Sequence, residues 1–166
     1  MKKAFTIIET LVAITILMIA ISGPLSSSFR ALTASTAARD QMTANFLAQE
    51  AIEMVRNVKD NNVVGAVQEG PLSGLSGCTI DSMCSVNNFI SACTDFQDKD
   101  CQLFRNTTTG KYTNVVTSRP TNFYRTFYLK EVTFNSAKAV VDVVWPSGAY
   151  GLSSTTIESE LYFIVR

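Results

Sequence analysis

The chain has 166 residues, 14 basic and 14 acidic, with no histidine. That length fits one modest domain plus an extended N-terminal element. Balanced charge with no basic stretch beyond Lys2-Lys3 leaves no electrostatic footprint for nucleic acid, and the missing histidine excludes Ser/His/Asp and Cys/His catalysis. No motif remains for an enzyme, and no cofactor is implied.

From Phe5 to Ile21 only Thr6, Glu9, Thr10 and Thr15 are polar. A helix of that length spans roughly 26 Å, close to the hydrocarbon thickness of a bilayer. Lys2 and Lys3 precede it and the next basic residue is Arg30, so the charge bias places the N-terminus in the cytoplasm and the bulk outside. A secretory signal peptide cut after Ser22 is the competing reading. Three features oppose it: Glu9 has no use in a signal core, the basic region is short, and the helical pattern continues past the cut. Glu9 is the anomaly, because a carboxylate in hydrocarbon costs roughly 2.5 to 3.5 kcal/mol or more and normally has a partner.

Gly23-Pro24 interrupts the pattern once, and Leu25 to Asp60 contains neither residue. Proline removes a backbone hydrogen bond, so a bend or local unwinding is expected there. Beyond it Leu25, Phe29, Leu32, Leu47, Ala51, Met54 or Val55, and Val58 recur at helical spacing, with Arg39, Asp40, Asn45, Gln49, Glu53, Arg56 and Lys59 on the other side. Phe5 to about Lys59 therefore reads as one helix of roughly 80 Å, its last third amphipathic.

The string "FTIIETLVAITILMIA" after a short basic leader resembles the N-terminus of type IV prepilins and pseudopilins. The resemblance implies a pilin fold, with prepilin peptidase cutting between Ala4 and Phe5 and N-methylating Phe5. It also makes Glu9 the glutamate that faces the Phe5 amine of a neighbouring subunit. The family usually has glycine before the cut, where this chain has Ala4. The downstream "ANFLAQEAIEMVRNVKDNN" and "VVDVVWPSG" resemble PilV-like minor pilins. Implied partners are other pilin subunits, prepilin peptidase, the inner-membrane assembly machinery and, before assembly, membrane lipid. The implied location is the bacterial cytoplasmic membrane, then a surface filament or the envelope. Major pilin, minor pilin and pseudopilin share this helix. A membrane-anchored extracellular binding protein is the reading from another class.

Residues 61–122 read as a loop region. "GPLSGLSG" is followed by Cys78, Cys84, Cys93 and Cys101, an even number in a segment expected outside the cell. The spacings lack paired C-x2-C, which favours two disulfides over a metal site. Three connectivities are possible, and the short loops "CTIDSMC" and "CTDFQDKDC" favour Cys78 to Cys84 and Cys93 to Cys101. Bridges, rather than a core, are expected to order this region. Asp81, Asp95, Asp98 and Asp100 could chelate calcium but lack EF-hand spacing. Asn106-Thr107-Thr108 fits a glycosylation acceptor pattern of a kind that chance also produces in polar loops.

The last third, 123–166, carries three strand signals: "RTFYLKEVTF", "KAVVDVVW" and "TTIESELYFIVR". Val141, Val143 and Trp145 form one row. Ile157, Leu161, Phe163 and Val165 form another, with Glu158, Glu160 and Tyr162 opposite. The predicted architecture is α+β: an antiparallel meander whose apolar face is covered by residues 23–60 of the long helix, after a leader at 1–4 and a membrane segment at 5–22.

Overall fold

A computed structural model describes residues 6–65, 70–86, 90–93, 98–113, 118–148 and 151–163. The chain divides into two compact units, Met1–Asp40 and Gln41–Arg166. Helix α1, Ile7–Val64, supplies the described part of the first and the opening of the second.

In the first unit the apolar side chains are exposed, among them Ile7 (86%), Ile19 (75%) and Met18 (67%). Hydroxyls in this stretch bond back to their own helix: Thr10 Oγ1 donates to the Ile7 carbonyl at 2.7 Å, Thr15 Oγ1 to Val12 at 2.8 Å and Ser22 Oγ to Ile19 at 2.9 Å. Each such bond satisfies a hydroxyl without water, the condition that hydrocarbon imposes. Pro24 lies inside the helix, which continues across it. The local unwinding expected at Gly23-Pro24 is not seen: proline removes one donor, and the flanking turns hold their helical pattern.

Leu25, Phe29 and Leu32, expected on a core-facing stripe, are 53–64% exposed. The buried face of α1 belongs to the second unit and consists of Ala44, Leu47, Ala48, Ala51, Ile52 and Val55. Three of these, Ala44, Ala48 and Ile52, are absent from the stripe read in the sequence. Alanines at helical spacing let a helix lie close on a sheet, although they carry little hydropathy signal. The helix continues to Val64 rather than ending near Lys59. There Asn62 Nδ2 donates to the carbonyls of Pro71 (3.1 Å) and Ser73 (2.8 Å), tying the following loop to the last turn.

The described residues form an α+β layout in which the helix is followed by a seven-stranded antiparallel sheet. Strands β5 (Arg119–Lys130), β6 (Ser136–Pro146) and β7 (Leu152–Tyr162) make the meander. Its registers pair Phe127 with Val141 and Val141 with Ile157. Alternation puts Phe123, Phe127 and Leu129 of β5 and Ala139, Val141, Val143 and Trp145 of β6 in the core with the helix face. Leu161 and Phe163 are buried there too, Ile157 is partly buried, and Tyr162 faces solvent. Val165 lies outside the described residues.

Two boundaries differ from the sequence reading. β5 begins at Arg119 and stops at Lys130. Val132 and Phe134, expected in the strand, lie in the turn to β6 and are exposed. Glu131 takes a left-handed φ of 53° there, and Thr133 N donates to the Ser136 carbonyl at 2.7 Å to close the hairpin.

The segment expected as loop contains four short strands: β1 (Cys84–Val86), β2 (Ile90–Ala92), β3 (Gln102–Arg105) and β4 (Tyr112–Thr113). β1 and β3 both pair with β5, extending the sheet beyond the meander. Leu75, Cys78, Cys84, Val86 and Leu103 join the same core as the helix. Bridges and core therefore order this segment together.

Candidate functional site

Ala4 and Phe5, the residues of the expected cleavage, lie outside the described residues. Glu9 sits in the first turn of α1 and is exposed. Its amide donates to the Thr6 carbonyl at 3.1 Å and meets Thr6 Oγ1 at 3.4 Å. Thr6 is thus the N-cap and Glu9 the third helical residue, the T-x-x-E pattern of a capping box. A carboxylate here also complements the positive end of the helix dipole. The sequence reading took Glu9 as an anomaly in an apolar run and missed that its spacing from Thr6 is a helix-start signal. That signal was legible.

Within Ile7–Val64 an 18-residue window is long and apolar enough to cross a membrane, and none of it is buried. Every large apolar side chain from Ile7 to Leu32 is therefore left to the surroundings: lipid, or another chain.

In the second unit the residue that organises the structure was not singled out from sequence. Arg125 is wholly buried on the inward row of β5. Its guanidinium donates to the Leu47 carbonyl on α1 (2.9 Å), to the Val86 carbonyl on β1, and to Glu50 Oε2 on α1 (3.1 Å). Its backbone N–H donates to the Cys101 carbonyl at 2.9 Å. Burial pushes the guanidinium pKa below its ordinary value, and the neighbouring Glu50 carboxylate opposes that shift. One side chain thus links the helix, the central strand and the cysteine segment. The arginine fork suits this, because its donors diverge in one plane. The available signal was its phase: Arg125 alternates with Phe123, Phe127 and Leu129, so the row that buries them buries it.

The bridges are Cys78–Cys84 and Cys93–Cys101, and all four residues are buried. Leu129 N donates to the Cys78 carbonyl at 2.8 Å, so each bridge has one member bonded to β5 through its backbone. Asp81, Asp98 and Asp100 are described, while Asp95 is not. Among the described residues no group of three or more His, Cys, Asp or Glu is placed to hold a metal ion. Asn106 opens the β3–β4 turn, where its Oδ1 accepts from Thr108 N (2.9 Å) and Thr109 N (3.0 Å). Gly110 completes that turn with a φ of 72°, which strains any side chain.

A family model described as the prokaryotic N-terminal methylation motif matches residues 1–23. No curated protein and no solved structure gives a match. The matched stretch spans the Ala4–Phe5 bond, Glu9 and the apolar run. The motif implies processing by prepilin peptidase and assembly with other pilins, and together with the exposed apolar helix it fits an inner-membrane precursor that later enters a pilus. It supports placing the chain with type IV prepilin-like proteins.

Proposed function

We propose that the chain is a minor pilin, cut between Ala4 and Phe5, N-methylated on Phe5 and built into a surface filament through its N-terminal helix. The observation that carries this reading is the conjunction at one helix end of the methylation motif, a carboxylate one turn in, and a long exposed apolar surface. Cleavage creates an ammonium at Phe5. Two opposite charges 4 Å apart attract by about 4 kcal/mol at an effective dielectric near 20, comparable to the cost of a carboxylate in the bilayer. Glu9 of one subunit facing the Phe5 amine of its neighbour is then satisfied on assembly and unpaired before it. The minor-pilin assignment draws on the likeness of "AQEAIEMVRN" and "VVDVVWPSG" to PilV-like proteins, and on the mid-chain position of the four cysteines.

The test is mass spectrometry on filaments sheared from the cell surface. A peptide beginning at N-methyl-Phe5, present at low abundance beside a dominant pilin, is the expected result. The processed form found only in the envelope would point instead to a pseudopilin, and an intact Met1 to a membrane-anchored binding protein. Glu9→Leu should leave membrane insertion unchanged and lower incorporation into filaments; equal incorporation would remove the pairing role.

A further inference from the structure

The two margins of the sheet are unequal. One side ends in β2 and β4, strands of three and two residues that are too short to template another chain. The other ends in β7, eleven residues long, which pairs with β6 alone among the described strands. Its register with β6 runs without a shift from Leu152 to Tyr162, so no bulge turns the edge away, and the strand holds no proline. Parity fixes which backbone groups face out. Phe163 N donates to the Asn135 carbonyl, and the same phase turns the N–H and C=O of Ser153, Thr155, Ile157, Ser159 and Leu161 toward β6. Ser154, Thr156, Glu158 and Glu160 therefore turn theirs to the open edge, and all four residues are exposed. Lys59 Nζ takes the next outward carbonyl, that of Tyr162, at 3.2 Å, and so ends the open stretch.

This edge is acidic. Asp142 lies across from Thr156 and accepts from its hydroxyl at 2.5 Å, so its carboxylate joins those of Glu158 and Glu160 on the outer face. Lys138 stands across from Glu160 and 4.0 Å from Glu158, but its nearer partner is Glu131 at 3.0 Å. Glu160 also accepts from the Tyr162 hydroxyl. A carboxylate has about four acceptor positions, so both glutamates keep capacity for a cation. A second copy of the chain is a poor occupant, because pairing β7 with β7 gathers four glutamates on one seam and like charges across strands repel. We propose that the outer edge of β7 takes up an extended segment of a different protein as an added strand, with lysine or arginine at alternate positions facing Glu158 and Glu160. Main-chain hydrogen bonds to the outward groups supply affinity, and the alternating cations set register and choice of partner. The edge lies wholly in the second unit, so the inference holds for a filament subunit and for an anchored binding protein alike.

The probe is a short acetylated, amidated peptide alternating lysine and valine, added to the full chain in detergent micelles, with amide exchange read by NMR. In the free chain the amides of Thr155, Ile157 and Ser159 should exchange slowly and those of Ser154, Thr156, Glu158 and Glu160 fast. The peptide should slow the second set several-fold. A glutamate-valine peptide should not, nor should the lysine-valine peptide with every backbone nitrogen methylated, which keeps the charges and removes the donors. Glu158→Lys combined with Glu160→Lys should exchange the preference between the two charged peptides. Thr156→Pro deletes one outward N–H, leaves the β6 ladder its bonds, and should abolish the slowing. Circular dichroism checks both variants, and the peptide comparison on the unaltered chain decides the matter if either fails to fold. Outward amides already slow in the free chain mean a covered edge, and amides that slow only as the protein is concentrated mean a second copy; either result overturns the inference. Equal slowing by the glutamate or the methylated peptide, or none by the lysine peptide, overturns it too.

Discussion

Arg125 shows what one inward-facing side chain does when its neighbours are carbonyls. It is fully buried, and two of its acceptors, on Leu47 and Val86, are main-chain oxygens that lose their donor if it is removed. Buried groups left unsatisfied cost about 1–3 kcal/mol each. Arg125→Leu should therefore destabilise the second unit by about 3 kcal/mol or more, read as a lower urea midpoint with an unchanged slope. Arg125→Lys should recover little, because a single ammonium cannot span the helix and β1 carbonyls together. If both variants unfold at the wild-type midpoint, the clamp is dispensable. Glu9, at the opposite end of α1, works in two ways at once: its amide belongs to the Thr6 cap, and its carboxylate remains exposed. Glu9→Leu keeps the first and deletes the second along with its support of the helix start, so Glu9→Gln, which removes only the charge and keeps the side-chain shape, is its companion probe.

Among elements, the β5–β6 hairpin carries a local pH dependence. Lys138 Nζ lies 3.0 Å from Glu131 Oε2, and this hydrogen bond and charge hold the Glu131 carboxyl below its ordinary value while raising the lysine. A carboxyl whose folded pKa is depressed stabilises the fold above its unfolded pKa, and that contribution is lost as pH falls through the folded value. Amide exchange at Thr133 and Ser136 in the turn should therefore quicken as pH falls through and below the ordinary glutamate range, after correction for intrinsic exchange. Lys138→Ala should abolish the step. The pair is solvent-exposed, so 1 M salt should weaken it as well. Elements also mark where sequence reading stopped. β6 and β7 were legible because Val141, Val143 and Trp145 fall on one parity of a β-branched run, and Ile157, Leu161 and Phe163 on one parity of the last segment. β1 to β4 are two to four residues each and owe their existence to pairing with β5 or with one another. No period can be read from so few residues, and a partner tens of positions away leaves no local mark.

At the scale of the whole chain the sequence announced a helix followed by a sheet, and the structure has that order. The cover was misplaced along the helix: Leu25, Phe29 and Leu32 have the same periodicity as Leu47 and Ala51, and periodicity says only which side is apolar, not what lies against it. Composition gave no hint of Arg125 as a hub, since a basic residue in a strand is ordinarily solvent-facing. The cysteines contribute at this scale too. Cys93→Ser with Cys101→Ser should cost about 2–4 kcal/mol of stability in a chemical melt, by relaxing the unfolded chain and by loosening the carbonyl that Arg125 N–H grips. An unchanged midpoint would assign the ordering of this segment to the core alone. The order of residues in the Arg125 clamp has a further consequence for how the molecule is made. A ribosome delivers residues 47 and 50 first, then Cys78, Cys84 and Val86, then Cys93 and Cys101, and only afterwards residue 125. The bridges can thus close on a nascent chain whose helix still lacks its sheet. Contacts separated by 75 and 78 positions form last and slowly. Until β5 to β7 emerge, the face of Leu47, Ala51 and Val55 lacks most of its cover, so the newborn chain passes through a stage in which both halves of its long helix are largely uncovered, and a chaperone or the membrane surface has its opening then.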